Sequence, residues 1–512
     1  MINIDSGNHK DAKDLIRGLM FNVLGMVVKI SKVLFVYVVA KSYGVTALGQ
    51  YFLAWSVIDI SSKFGLWGLD KSLVRDIARF NSDRSPESNQ RIFSTIYFNA
   101  GVALCLSLLV TGIVVVVSPW IATTIFKDSH LTSPIRFLSL AIPFVVLTNV
   151  FIATTKGLRL MQYEVLVRQG IEPLFLLVAA IMFIPLKLGA FGLAMAHVFA
   201  SFVAAVSAFI IVLRKYHYLG WNPKPLERHV KMETLRYIYP IAAMDFLNLL
   251  VARTDILLVG ALLNATSAGL YGIAVEVISV IKSARQGLEP IFSPIVSELF
   301  YSEQRGRLRR NYVLVTRWLM VGSFLPVVAI VMFPGQILAF FNVNSMQTSS
   351  ALMVLAVAYG LNGVFSAAES LLVMTGKTLL NTILGAMMLI LNFTVSYVLI
   401  LKLGLVGAAL GTLTSIAAVS IARLHQGYKQ FRLLPFSLSL FWPIVSAGLT
   451  AAIIYLLKVA FQIDTAFETI LAFVFMIFIY AVIYLLGATE PEEKRLISNM
   501  KRKIRKVSFA FK

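Results

Sequence analysis

The side chains with chemical potential in this sequence are ionisable groups set inside long apolar runs. Lys29 and Lys32 stand three apart in the first run, on one helical face, with no acid in that run to pair with them. Asp59 and Lys63 stand four apart in the second, the spacing of an internal ion pair. A seventh run carries Asp245, Arg253 and Asp255; an eighth carries Glu276, Lys282 and Arg285, with Glu289 just beyond. Glu172, Glu369 and Arg317 stand in others. A charge at membrane depth costs about 2.5–3.5 kcal/mol on insertion scales, so each is a candidate for binding, ion handling or helix pairing. Lys29, Lys32, Lys63, Arg253 and Arg285 are candidates for holding an anionic ligand. Asp59, Asp255 and Glu276 are candidates for a coupling ion, H+ or Na+. Several have a structural alternative: Lys63 neutralises Asp59, Arg253 neutralises Asp255 or Asp245, Lys29 reaches the surface by its long stem, and Lys282 and Arg285 are interfacial.

Other chemistry is poorly supplied. Cys105 is the single cysteine, so neither a disulfide framework nor a cysteine-rich metal site is expected. Gly376-Lys377-Thr378 lacks the earlier glycine of a phosphate-binding loop, no loop is large enough for an ATPase domain, and no organic cofactor is expected. The first outer connection, Lys41 to Gln50, contains no acid and no outer loop is large, which argues against a membrane glycan polymerase or glycosyltransferase. His197, well inside a span, reads as a hydrogen-bonded packing residue rather than a proton relay.

The elements that must position these groups are transmembrane helices. Hydrophobic residues make up 58% of 512, charged residues 14%, and mean hydropathy is +0.81, too apolar for a soluble chain of this length. The runs approach the roughly 20 residues a spanning helix needs, and their period is not that of barrel strands. About fourteen spans are predicted, from Leu19–Ala40 to Ala466–Leu486, with the eighth least regular where Lys282 and Arg285 interrupt it. The net charge of +21 is read as cytoplasmic loops rich in Lys and Arg rather than as nucleic-acid binding. One set of alternating connections holds most of the basic residues, which puts both termini in the cytoplasm. Pro143, Pro173, Pro240 and Pro326 mark kinks or first turns.

An internal repeat organises the spans. Leu186-Lys187-Leu188-Gly189 matches Leu401-Lys402-Leu403-Gly404, and Gly49-Gln50-Tyr51 matches Gly269-Leu270-Tyr271. The expected domains are a six-helix lobe over 1–220, a second over 221–432, an accessory helix pair over 433–488 and a basic cytoplasmic tail over 489–512. Six spans per lobe predicts a two-fold axis along the membrane normal with a cavity between lobes. Cations on such a cavity suit a polyprenyl-diphosphate sugar, whose diphosphate they would hold while the tail stays in lipid. An inside-negative potential favours outward movement of its charge by about 2.3 kcal/mol per charge per 100 mV.

With these residues in hand, the chain resembles the polysaccharide (O-antigen type) flippases of the multidrug/oligosaccharidyl-lipid/polysaccharide exporter superfamily. The resemblance is carried by Lys41-Ser-Tyr-Gly-Val-Thr-Ala-Leu-Gly-Gln-Tyr51, Phe64-Gly-Leu-Trp-Gly-Leu69, Leu403-Gly-Leu-Val-Gly-Ala-Ala409 and the span order. It implies an all-α integral membrane protein of the bacterial cytoplasmic (inner) membrane, with two pseudo-two-fold six-helix lobes working by alternating access. The implied cargo is an undecaprenyl-diphosphate-linked glycan, and a glycan polymerase and chain-length regulator are the implied partners. The chain also looks like lipid II flippases, which have cavity arginines where this first span has Lys29 and Lys32. A cation-coupled multidrug exporter of the same superfamily is the rival reading, for which a carboxylate-lined lobe would be expected.

Overall fold

The computed structural model describes residues 30–83, 86–158, 160–216, 228–461 and 465–487. Lys29, the first half of the first expected span and the basic tail lie outside these residues. In chain order the helices are α1 (Ile30–Ser42), α2 (Val45–Leu66), α3 (Leu69–Asp83), α4 (Pro86–Trp120), α5 (Thr132–Leu138), α6 (Ala141–Gly157), α7 (Glu172–Phe183) and α8 (Gly189–Tyr216). Then come α9 (Arg228–Leu262), α10 (Ala265–Tyr301), α11 (Arg305–Met332), α12 (Pro334–Phe340), α13 (Met346–Met374), α14 (Thr378–Leu403), α15 (Leu405–Phe431), α16 (Phe441–Phe461) and α17 (Ala466–Gly487).

Eleven stretches among the described residues are long and apolar enough to cross a membrane. The remaining expected spans fall on α1, α2 and α9. Of these, α2 and α9 carry Asp59, Lys63, Asp245, Arg253 and Asp255, which pull down their apolar average, and α1 is described only from Ile30. The eighth predicted span, Ala268–Leu288, holds through Lys282 and Arg285: α10 runs through both as one helix.

The polarity pattern is that of a protein solvated by lipid. On α4 the large side chains Leu108, Leu109, Ile113 and Val116 face outward, while Ser107, Thr111 and Ser118 are buried. Those hydroxyls donate to the carbonyls of Leu104, Ser107 and Val115 on their own helix, so their burial leaves no donor unmet. On α8 a strip of alanines, Ala190, Ala194, Ala204 and Ala208 among them, is buried and lets α6 and α7 pack closely against it. Phe199, Phe202, Phe209 and Ile210 point away from that face.

Two local irregularities have identifiable causes. Ahead of α7 the chain forms a wide turn over Val165–Ile171, where the Glu172 N–H donates to Val167 O. Pro173 follows at once and has no N–H to return to Gln169, and widening the preceding turn re-satisfies the carbonyls it frees. The matched segments before α8 and α15 also share backbone shape, with Gly189 at φ 54° and Gly404 at φ 59°. A left-handed residue there suits glycine alone without strain.

Two compact units emerge. One comprises Met1–Ser279, Leu338–Leu355 and Thr382–Val419; the other comprises Val280–Ile337, Ala356–Asn381 and Ser420–Lys512. In the second unit, Phe292, Leu299, Tyr312, Leu319 and Leu371 from α10, α11 and α13 make one core. Val328, Phe333, Ile454 and Met476 make another, which seats α16 and α17 on α11.

Candidate functional site

The first unit gathers most of the ionisable groups singled out in the sequence. Helix α2 runs beside α9, with Phe64 against Phe246 at 4.8 Å between ring centroids. Gly68, at φ 76°, brings the turn after α2 against the Ile238 carbonyl. One turn back from Phe64, Arg253 reaches across: its Nε donates to Asp59 Oδ2 at 3.1 Å and its Nη2 to the same oxygen at 2.8 Å. Both side chains keep partial access, 28% for Arg253 and 19% for Asp59. Here the structure corrects the local-pairing alternative. Asp59 is neutralised by Arg253 and not by Lys63, and Arg253 bonds neither Asp245 nor Asp255. Asp255 is buried and accepts from the Thr412 hydroxyl at 2.7 Å.

Lys32 lies on α1, exposed and without an ion pair among the described residues; Lys63 is half-buried and likewise makes none. Lys32, Arg253, Glu172 and Glu276 lie in the same unit, and both glutamates are half-buried. Beside them Tyr51 Oη and His197 Nδ1 share a 2.7 Å hydrogen bond, and the imidazole lies over Trp55 at 3.8 Å. His197 therefore has the packing role expected of it. Glu172 was visible in the sequence only as one charge among several. The widened turn before Pro173 is the signal that separates it from a continuous span.

The repeat shows itself where α2 meets α10. Thr46 Oγ1 and Thr266 Oγ1 are 2.8 Å apart. A Cβ on Gly49 would meet the Ala265 carbonyl and Gly269 N; a Cβ on Gly269 would meet the Val45 carbonyl and Gly49 N. The Phe52 ring lies on Gly272. Each pair joins a residue to its own repeat equivalent, which is the reciprocity of a two-fold contact. Asn264 Oδ1 accepts from Ser267 N and caps the start of α10, fixing this approach.

Arg285, expected with the anion-holding set, lies in the second unit with its guanidinium engaged. It donates to Glu289 Oε2 at 3.0 Å, Glu369 Oε2 at 3.0 Å and Asn362 Oδ1 at 3.4 Å. Glu369 Oε2 also accepts from Arg423 at 2.9 Å, and Arg423 Nε donates to Asn381. Lys282 sits 4.1 Å from the Tyr359 ring centre, a cation–π contact. These partners are why a helix with two internal cations runs unbroken. Arg423 is thus the second partner of Glu369, a pairing that spacing in the sequence does not reveal.

Residues 38–340 match the family described as polysaccharide biosynthesis protein, more than half of the chain. The chain belongs to the polysaccharide biosynthesis protein family. Its fold is shared with solved exporters of the MOP superfamily. A lipid II flippase, MurJ, in an inward closed conformation aligns with TM-score 0.73 and 16% identity over 91% of this chain and 97% of that one. An inward-facing multidrug resistance MATE family transporter aligns with TM-score 0.66 and 15% identity over 80% and 98%. A MOP superfamily transporter from Pyrococcus furiosus, whose binding pocket is described as having reverse polarity, aligns with TM-score 0.55 and 16% identity over 82% and 96%. No curated protein matches this family member by sequence. At these identities the likeness establishes the fold, that of an all-helical, multi-pass membrane protein.

Proposed function

We propose that the protein is a flippase that carries a polyprenyl-diphosphate-linked oligosaccharide from the cytoplasmic to the outer leaflet of the bacterial inner membrane by alternating access. The observation that carries this reading is the cationic set Lys32, Lys63 and Arg253, brought into one compact unit on α1, α2 and α9. Among the described residues its one ion pair, Arg253 to Asp59, joins the two repeat halves. A diphosphate needs several donors in one place, and a glycan with a long apolar tail needs both a polar cavity and lateral access to lipid. Membership of a polysaccharide biosynthesis family favours that cargo over a cationic drug. In this reading the basic connections are cytoplasmic, both termini with them. The reciprocal Gly49–Gly269 and Thr46–Thr266 contacts then close the outer side, and rocking of one half against the other opens it. Membrane potential, H+ or Na+ supplies the drive.

The test is surface glycan in a strain complemented with Lys32→Ala or Arg253→Ala. Both substitutions are expected to abolish surface glycan while the protein stays inserted at normal level. Undiminished glycan in the Lys32→Ala/Arg253→Ala double variant would remove the diphosphate site.

A further inference from the structure

Resting on that flippase reading, we propose that Asp59 is an internal stand-in for the cargo's phosphate. It holds the Arg253 guanidinium in the empty carrier and passes to Lys63 when a diphosphate takes its place. Three observations lead there. The Asp59–Arg253 pair joins α2 of the first half to α9 of the second, so it spans elements that a rocking carrier must separate. The Arg285–Glu289–Glu369–Arg423 network, by contrast, lies wholly within the second half and can stay closed throughout.

The pair's geometry is the second observation. Arg253 Nε and Nη2 both donate to Oδ2 alone, so one carboxylate oxygen occupies a fork that could take two. A phosphate offers two oxygens to that fork and more charge than a carboxylate, so it competes on equal geometry and better electrostatics. The partial exposure of both side chains leaves it a way in.

Lys63 is the third. It stands one turn along α2 from Asp59, at the spacing of an internal ion pair, yet makes none among the described residues. Its ammonium is placed to donate to a displaced carboxylate. Release of Asp59 to Lys63 leaves the carboxylate with a cationic partner, and it unties α2 from α9 only once cargo holds Arg253. An empty carrier stays tied, which suppresses idle cycling.

Farnesyl diphosphate, a short soluble analogue, is the probe, titrated calorimetrically into purified protein. Asp59→Asn removes the competitor and is expected to bind it about three- to tenfold more tightly than the unmodified protein. Arg253→Gln is expected to weaken binding at least tenfold. Asp59→Asn binding no tighter than the unmodified protein, with Arg253→Gln still weakened, would overturn the exchange and leave the flippase reading in place. Binding that Arg253→Gln does not change would overturn both. Should Asp59→Asn fail to fold, spin labels at Trp67 and Asn248 in a Cys105→Ser background report the α2–α9 distance with Asp59 intact. Farnesyl diphosphate, and not farnesol, is expected to lengthen it; an unchanged distance would overturn the exchange.

Discussion

Gly49→Ala is the most informative single perturbation, because its effect follows from backbone positions. A methyl on Gly49 would stand 2.7 Å from Gly269 N and closer still to the Ala265 carbonyl, whereas ordinary contact begins near 3.4 Å. The obstacles are main chain on a helix, and since the Ala265 carbonyl is nearer than Gly269 N, α2 and α10 must part by more than the roughly 0.7 Å that the Gly269 contact alone requires. Overpacking of this kind costs about 1–3 kcal/mol. The whole of that cost falls on the state in which the two helices touch, so its population drops by about 5- to 150-fold against any state in which they are apart. The assay is a disulfide between Thr46→Cys and Thr266→Cys in a Cys105→Ser background, since the two hydroxyls they replace are 2.8 Å apart. The cross-link is expected to form readily, to arrest glycan export and to be reversed by reductant. Adding Gly49→Ala is expected to slow cross-linking by at least fivefold. An unchanged cross-linking rate would refute the reciprocal contact as the closure between the halves.

Other expectations follow from the same packing. Glu369→Ala leaves Arg285 and Arg423 facing each other with one acid, Glu289, and is expected to cost about 3 kcal/mol, read as a lower Tm in detergent. A Tm within a degree of the parent would show the network to be solvated. Tyr51→Phe strands His197 Nδ1 and is expected to cost about 1 kcal/mol, while the Tyr51→Phe/His197→Phe pair costs less than the sum of the singles. Additive losses in thermal unfolding would argue against their hydrogen bond. Gly404→Ala forces alanine to φ 59° and is expected to destabilise by about 1 kcal/mol with export retained, measured by Tm and surface glycan together.

What the sequence could and could not say divides along a physical line. Span positions, buried charges and the repeat are periodic or compositional facts, and the offset between Gly49 and Gly269 was readable before any coordinates. Partner choice was not. Asp59 and Lys63 have the spacing of a pair, but an arginine 194 positions away wins because its planar fork lies within reach on the neighbouring helix. Glu369 gave no hint that it would be shared between Arg285 and Arg423, which come from two other helices. The same holds for α10, where Lys282 and Arg285 look disruptive only while their partners are unknown.

The placing of Phe52 over Gly272 has a consequence for how such a chain diversifies. Where two identical subunits meet on a rotation axis, a bulky side chain must confront its own copy, so small residues are enforced on both. Tandem fusion lifts that constraint, because the two copies of one codon then mutate independently. Gly49 with Gly269 keeps equal small residues on both sides, whereas Phe52 with Gly272 is a knob set into a hole that no symmetric pair could have made.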